Sequence, residues 1–188
     1  MSRSQKHWDK SCLFRETFIN ELNVRKNGGV PSNVLFDNKG TAIFNGTNAQ
    51  IIYKPTVFTK TKQYAFRVIF SLNKVNTSNY AYCFNISSLL KLSYNINDSK
   101  LVMFGGPHYV NGLVTNIATY QQHVKTFIEI VSVQTSDAFN LGKLILGSGL
   151  NIYYGNISMK LFEIYNRALS ASEVQNLYSQ RLYTDPTK

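Results

Sequence analysis

Acidic residues are scarce in this chain: 10 Asp and Glu stand against 20 Lys and Arg, a formal net charge of +10 over 188 residues. The acids are Asp9, Glu16, Glu21, Asp37, Asp98, Glu129, Asp137, Glu163, Glu173 and Asp185, and no two lie closer than five positions. That spacing excludes two carboxylates on alternate positions of one strand, the arrangement by which many glycoside hydrolases aim an acid and a nucleophile into one cleft. Only carboxylates carried on separate strands are left to meet. Cysteine is also scarce, and the two present, Cys12 and Cys83, form neither a disulfide framework nor a metal-ligand spacing, so both are expected as free thiols. His7, His108 and His123 are isolated from one another, which leaves Cys83 without a plausible base. Gly105-Gly106-Pro107 reads as a turn and not a phosphate cradle, because proline removes a backbone donor. No apolar run approaches membrane-spanning length, and Met1 to Lys10 has no secretory pattern. The expectation is a piece of a longer exported protein, a cytosolic protein, or a virion component released by lysis.

What is abundant points to strands. Hydrophobic residues make up 44% and aromatics 13%, with 12 Tyr and 12 Phe, ample for one buried core. They fall in short runs separated by Asn, Gly and Ser, the chemistry of tight turns. Val34 onward reads at period two. Ala42 to Phe44 and Ala49 to Tyr53, joined through Asn45-Gly46, read as a hairpin. Tyr64 to Leu72, Tyr80 to Ile86, Leu89 to Ile96, Leu101 to Phe104, His123 to Gln134, Lys143 to Gly147 and Ile157 to Tyr165 follow. About ten to twelve strands of this length favour an all-β fold, a two-sheet antiparallel β-sandwich or jelly roll. Residues 1–33, with mixed spacing that stops at Asn27-Gly28-Gly29, are expected as an N-terminal arm or short helix, and 34–188 as the sandwich.

One helix is specified locally. Ser170 as N-cap with Glu173 three residues on forms a capping box, flanked by Leu169 and Val174 as a hydrophobic staple. Val174, Leu177 and Tyr178 give the stripe that packs on a sheet. The stretch from Phe162 to Val174, with Ile164-Tyr165-Asn166-Arg167-Ala168-Leu169-Ser170 at its centre, resembles the closing strand and helix of the concanavalin A-like lectin/glucanase superfamily. Within it, the chain is most similar to the laminin G-like modules of bacteria and their phages. The 42–53 stretch and the Lys143 to Gly147 strand add weaker matches in the right order, about half the chain in all. The resemblance implies a short C-terminal helix after the sandwich and a role for Arg167 in reaching back across its end. Calcium-binding members use clustered acids, which this chain lacks, so no cofactor is carried over. The Tyr109-Val110-Asn111-Gly112 hairpin also falls earlier than the corresponding one in those modules.

The reading is a non-catalytic structural or binding module. First comes a phage virion protein, decorating a capsid or associated with a fibre, whose partners are other virion proteins. The alternative is a cell-surface glycan-binding module, with Tyr80, Tyr82, Tyr109, Asn111, Asn151, Tyr153 and Tyr154 as candidate ligand residues. Third is a nucleic-acid-associated protein, on the strength of nine Lys or Arg against one acid between Lys39 and Lys125. No nucleic-acid motif accompanies that charge. A homo-oligomer at a virion or extracellular surface is compatible with the first two.

Overall fold

The computed structural model describes residues 10–54, 63–74, 80–86, 91–95, 100–103, 106–116, 125–134, 143–149 and 153–184. The chain begins with β1 (Cys12–Glu16), α1 (Glu21–Lys26), β2 (Gly29–Ser32), β3 (Leu35–Phe36), β4 (Ala42–Asn45) and β5 (Gln50–Tyr53). It continues through β6 (Tyr64–Leu72), β7 (Tyr80–Asn85), β8 (Lys91–Asn95), β9 (Lys100–Met103), β10 (His108–Val110) and β11 (Leu113–Val114). The last elements are β12 (Ile128–Gln134), β13 (Leu144–Leu146), β14 (Ser148–Gly149), β15 (Tyr153–Tyr154), β16 (Asn156–Tyr165) and α2 (Ala171–Thr184). They form two sheets, a β-sandwich closed by a C-terminal helix. One sheet runs β11-β10-β12-β6-β16-β4-β3, with β1 also on β16; the other runs β14-β15-β7-β13-β5-β2, with β8 and β9 beyond β7. Pairing is antiparallel except that β15 lies parallel to β7, joined at Tyr154 and Tyr82.

Alternation decides the faces. Along β6, Tyr64, Phe66, Val68, Phe70 and Leu72 enter the core between the sheets, while Ala65, Arg67, Ile69 and Ser71 point the other way. Phe84 meets Phe66 from the opposite sheet, ring centres 6.2 Å apart, and Phe162 edge-on at 5.0 Å. Such aromatic contacts are worth about 0.5–1.5 kcal/mol beyond the area they bury. Both cysteines are free, and burial pushes the Cys83 thiol up from its ordinary value.

Two expectations need correcting. The sandwich does not begin at residue 34: β1 pairs with β16 in one sheet and β2 with β5 in the other, with α1 between them. The buried Glu16 obscured this, because its carboxylate sits among core residues. It is held there by the Tyr53 hydroxyl at 2.9 Å, the Asn27 amide at 3.1 Å and the Thr17 backbone N–H at 3.1 Å. Tyr53 is in turn raised well above its usual range, by burial and then by Glu16. Nor do β4 and β5 form a hairpin. β4 pairs with β16 and β3, and β5 with β13 and β2, so residues 46–49 arch from one sheet to the other. The Asn45 side-chain oxygen accepts from the backbone N–H groups of Thr47, Asn48 and Ala49, and this stabilises the arch without any ladder between the flanking strands.

Candidate binding site

Strand directions sort the candidate residues between the two ends of the sandwich. At one end, β15 passes through Gly155 into β16, and Asn156 accepts through its carbonyl from the N–H of Asn73, just past β6. Tyr82, Tyr153 and Tyr154 gather here. Tyr154 is the register partner of Tyr82, and the Tyr82 and Tyr153 rings lie 5.6 Å apart, tilted by 38°. Gly149 lies against the Tyr82 ring, so close that a Cβ there would come within 2.5 Å of its Cγ. Tyr82 is buried while Tyr153 and Tyr154 are half-buried, so Tyr82 and Gly149 support the Tyr153 ring, and Tyr154 follows it on β15 with its side chain on the opposite face of the strand. Tyr80 is two residues before Tyr82 on the same strand; Asn151 lies outside the described residues. Nearby, the fully buried Ser148 is the partner of Tyr154, and its hydroxyl has no hydrogen-bond partner. The amide oxygen of the buried Asn85, three residues along β7 from Tyr82, has none either.

Tyr109 and Asn111 belong elsewhere. Tyr109 is buried with Ala65, Val131, Val133, Tyr165, Leu169 and Val174 where α2 covers the outer face of the other sheet. Asn111 and Gly112, at φ 51° and 82°, make the tight turn between β10 and β11, a conformation that Asn and Gly tolerate best. The Asn111 amide oxygen accepts from the N–H of Glu129 at 2.9 Å, so it is spent on that turn.

Beneath α2 lies a charged group that sequence reasoning did not assemble. Arg67 donates to both oxygens of Glu129, at 3.1 and 3.2 Å, to Glu163 at 3.1 Å, and to the Leu177 carbonyl of α2 at 3.3 Å. Glu163 also accepts from the Tyr165 hydroxyl at 2.7 Å and pairs with Arg15 at 3.2 Å. Both carboxylates are 1% exposed. Burial alone would lower the guanidinium, but Glu129 and Glu163 outweigh it and raise Arg67 further; burial and then Glu163 raise Tyr165. Carboxylates from separate strands therefore do meet, yet each is neutralised by arginine and covered by a helix. The helix start is fixed by Ser170, whose hydroxyl accepts from the Glu173 N–H at 3.3 Å while Glu173 accepts from the Ser170 N–H at 2.8 Å. Arg167 ties this cap to Glu173 at 2.7 Å and to the Ser11 hydroxyl at 3.0 Å. Arg167 and then Ser170 pull the Glu173 carboxyl down to about 2.

Among the described residues, no three His, Cys, Asp or Glu side chains come together as a metal site, and no helix is long and apolar enough to cross a membrane. No family model matches the chain, and no curated protein matches it in sequence. Its fold is nevertheless shared. A Trypanosoma rangeli sialidase superposes with a TM-score of 0.60 at 15% identity, over 84% of this chain and 30% of the sialidase. The receptor binding domain of botulinum neurotoxin C/D mosaic serotype superposes with a TM-score of 0.60 at 10% identity, over 92% of this chain and 52% of that one. The chain thus spans about a third of the one and half of the other, and at these identities the likeness is one of fold.

Proposed function

We propose that this chain is a non-catalytic carbohydrate-binding module of the concanavalin A-like, laminin G-like kind, with Tyr153 and Tyr154 as its sugar platform. The observation that carries this reading is the half-buried Tyr153 ring backed by the Tyr82 ring, itself packed on Gly149, at one end of the sandwich, with the half-buried Tyr154 next to it on β15. A sugar offers C–H faces to aromatic rings and hydroxyls to polar groups, the kind of contact an aromatic ring at a strand end can give. Catalysis is disfavoured by the same geometry: Glu129 and Glu163 lie far too deep and too firmly paired to face a glycosidic bond. The fold shared with part of a sialidase solved in complex with sialic acid supports a glycan as the class of ligand. The finer placement, on a phage capsid or fibre, is supported by the resemblance of residues 162–174, with 42–53 and 143–147 beside them, to modules of bacteria and their phages; purified virions lacking the chain by mass spectrometry would overturn it.

The module is tested on a broad glycan array followed by calorimetry of any hit. Tyr153→Ala and Tyr154→Ala should each weaken binding by about two- to tenfold while leaving the circular dichroism spectrum unchanged, since stacked aromatic contacts carry about 0.5–1.5 kcal/mol each. An array without a hit at millimolar sensitivity, or a hit indifferent to both substitutions, would sink the reading.

A further inference from the structure

We infer that the glycan held at the tyrosine end is an acidic polysaccharide, whose carboxylate or sulfate groups are met by Lys74, Lys125 and Lys160. The inference rests on the glycan reading above and names the ligand class for that same site.

Backbone contacts bring Lys74 and Lys125 to one end, and Lys160 lies four residues into β16 from it. Lys125 donates its N–H to the Leu72 carbonyl at 2.6 Å, so it sits beside the last residue of β6, two positions before Lys74. Asn73, between them, is fastened to the start of β16 twice, by its N–H to the Asn156 carbonyl at 2.9 Å and by its side-chain oxygen to the Ser158 hydroxyl at 2.8 Å. Asn156 is two residues from Tyr154, which joins the lysine and tyrosine groups. Lys160 follows on β16, at the bulge between Met159 and Leu161, with its ammonium 4.5 Å from the centre of the Phe127 ring. That contact fixes the charge while leaving its hydrogen-bond donors usable. Lys74 and Lys125 are exposed.

The carboxylates that would otherwise neutralise them are engaged elsewhere. Glu16 is held by Tyr53 and Asn27, Glu21 by Arg25, Asp37 by the N–H groups of Lys39 and Thr41, Glu129 and Glu163 by Arg67, and Glu173 by Arg167. Those are all the acids among the described residues, so the positive field at this end is not cancelled by any of them. From Tyr154 to Lys160 the chain spans at most about 20 Å. That length suits several linked sugars better than one. Lysine, a compact point charge, suits anions repeated along a flexible polymer. Arginine is the usual reader of phosphate and base edges, and among the described side chains Arg15, Arg67 and Arg167 are paired with carboxylates around α2 and Arg25 with Glu21. This is why a glycan is favoured over a nucleic acid.

The test titrates the full chain with heparin, polygalacturonate, dextran and a single-stranded 20-mer oligonucleotide, at 50 and 300 mM NaCl. Binding to one acidic polysaccharide should exceed that to dextran at least tenfold and fall at least tenfold with the added salt. A Lys74→Gln, Lys125→Gln, Lys160→Gln triple variant should lose tenfold or more. A Lys54→Gln, Lys143→Gln double variant, at the opposite end where Tyr53 pairs with Leu144, should change less than twofold. Lys74→Glu alone should lose at least threefold, and serves if the triple variant folds poorly. Dextran bound through Tyr153 and Tyr154 with no effect of the lysine changes would overturn this inference and leave the module standing. The oligonucleotide binding more tightly than either acidic polysaccharide would overturn both.

Discussion

The two ends of the sandwich solve different problems with similar residues. At the end beneath α2 the buried charges are paired: Arg15, Arg67, Glu129 and Glu163 are linked in one row, and the Tyr165 hydroxyl and the Leu177 carbonyl complete it. At the other, tyrosines are left half-buried, lysines have no described carboxylate to meet, and Asn side chains hold the arches in place. Tyrosine shows the difference best. Tyr165 and Tyr109 are packed under a helix as core, whereas Tyr153, against Tyr82, and Tyr154 are left half-buried. One end is packed beneath a helix and the other leaves Lys74 and Lys125 exposed and two tyrosines half-buried.

If that division is real, substitution of Arg67 should be the most costly change at the covered end. Arg67→Met leaves Glu129 and Glu163 buried without their common cation, and breaking a buried ion pair by removing one partner typically costs about 3–5 kcal/mol. Urea unfolding at pH 7 should show a loss of that size, against less than about 1 kcal/mol for Tyr153→Ala. Equal losses for the two variants would remove the distinction between the ends. Gly147→Ala comes next. Gly147 ends β13 at φ 77°, and a Cβ there would fall inside the Phe44 ring, so left-handed strain adds to overpacking for roughly 2–4 kcal/mol. A variant with wild-type stability would show that the β13–β14 junction is looser than its contacts imply.

How much of this could be read from the chain follows the range of the interactions. The capping box, the staple of Leu169 and Val174 and the glycine closing β13 were legible, because each acts within a few residues. The ion row was not: Arg67 finds its carboxylates 62 and 96 positions away. Glu16 hid β1 for the same reason, being a polar residue at an inward position whose partners Asn27 and Tyr53 are 11 and 37 positions on. Asn45-Gly46 carried a true turn signal with the wrong geometry, since three N–H groups gathered on one Asn side chain serve an arch as well as a hairpin. The tyrosine pairs were visible as motifs. Only pairing across the sheets separates Tyr82, Tyr153 and Tyr154 from Tyr109 and Asn111.

The smallest effect is expected where the covered end meets solvent, and its sign is set by Glu173. Its carboxyl titrates near 2 in the folded chain, below the ordinary value of 4.5, through Arg167 and then the Ser170 N–H. The unfolded chain therefore binds more protons between those two values, and stability rises with pH across that window. The contribution is complete above about pH 4.5 and is lost as the pH falls toward 2. Because Arg167 and Glu173 are each more than a third exposed, solvent screening limits it to about 0.2–1 kcal/mol. Glu173→Gln should lower stability by that amount at pH 6 and by progressively less toward pH 2, where the two proteins converge. Glu129 and Glu163 are common to both proteins, so the difference between their urea midpoints isolates the cap. A difference that is constant from pH 6 to pH 2 would mean that the cap works through its hydrogen bonds alone, and that charge at this end matters only beneath the helix.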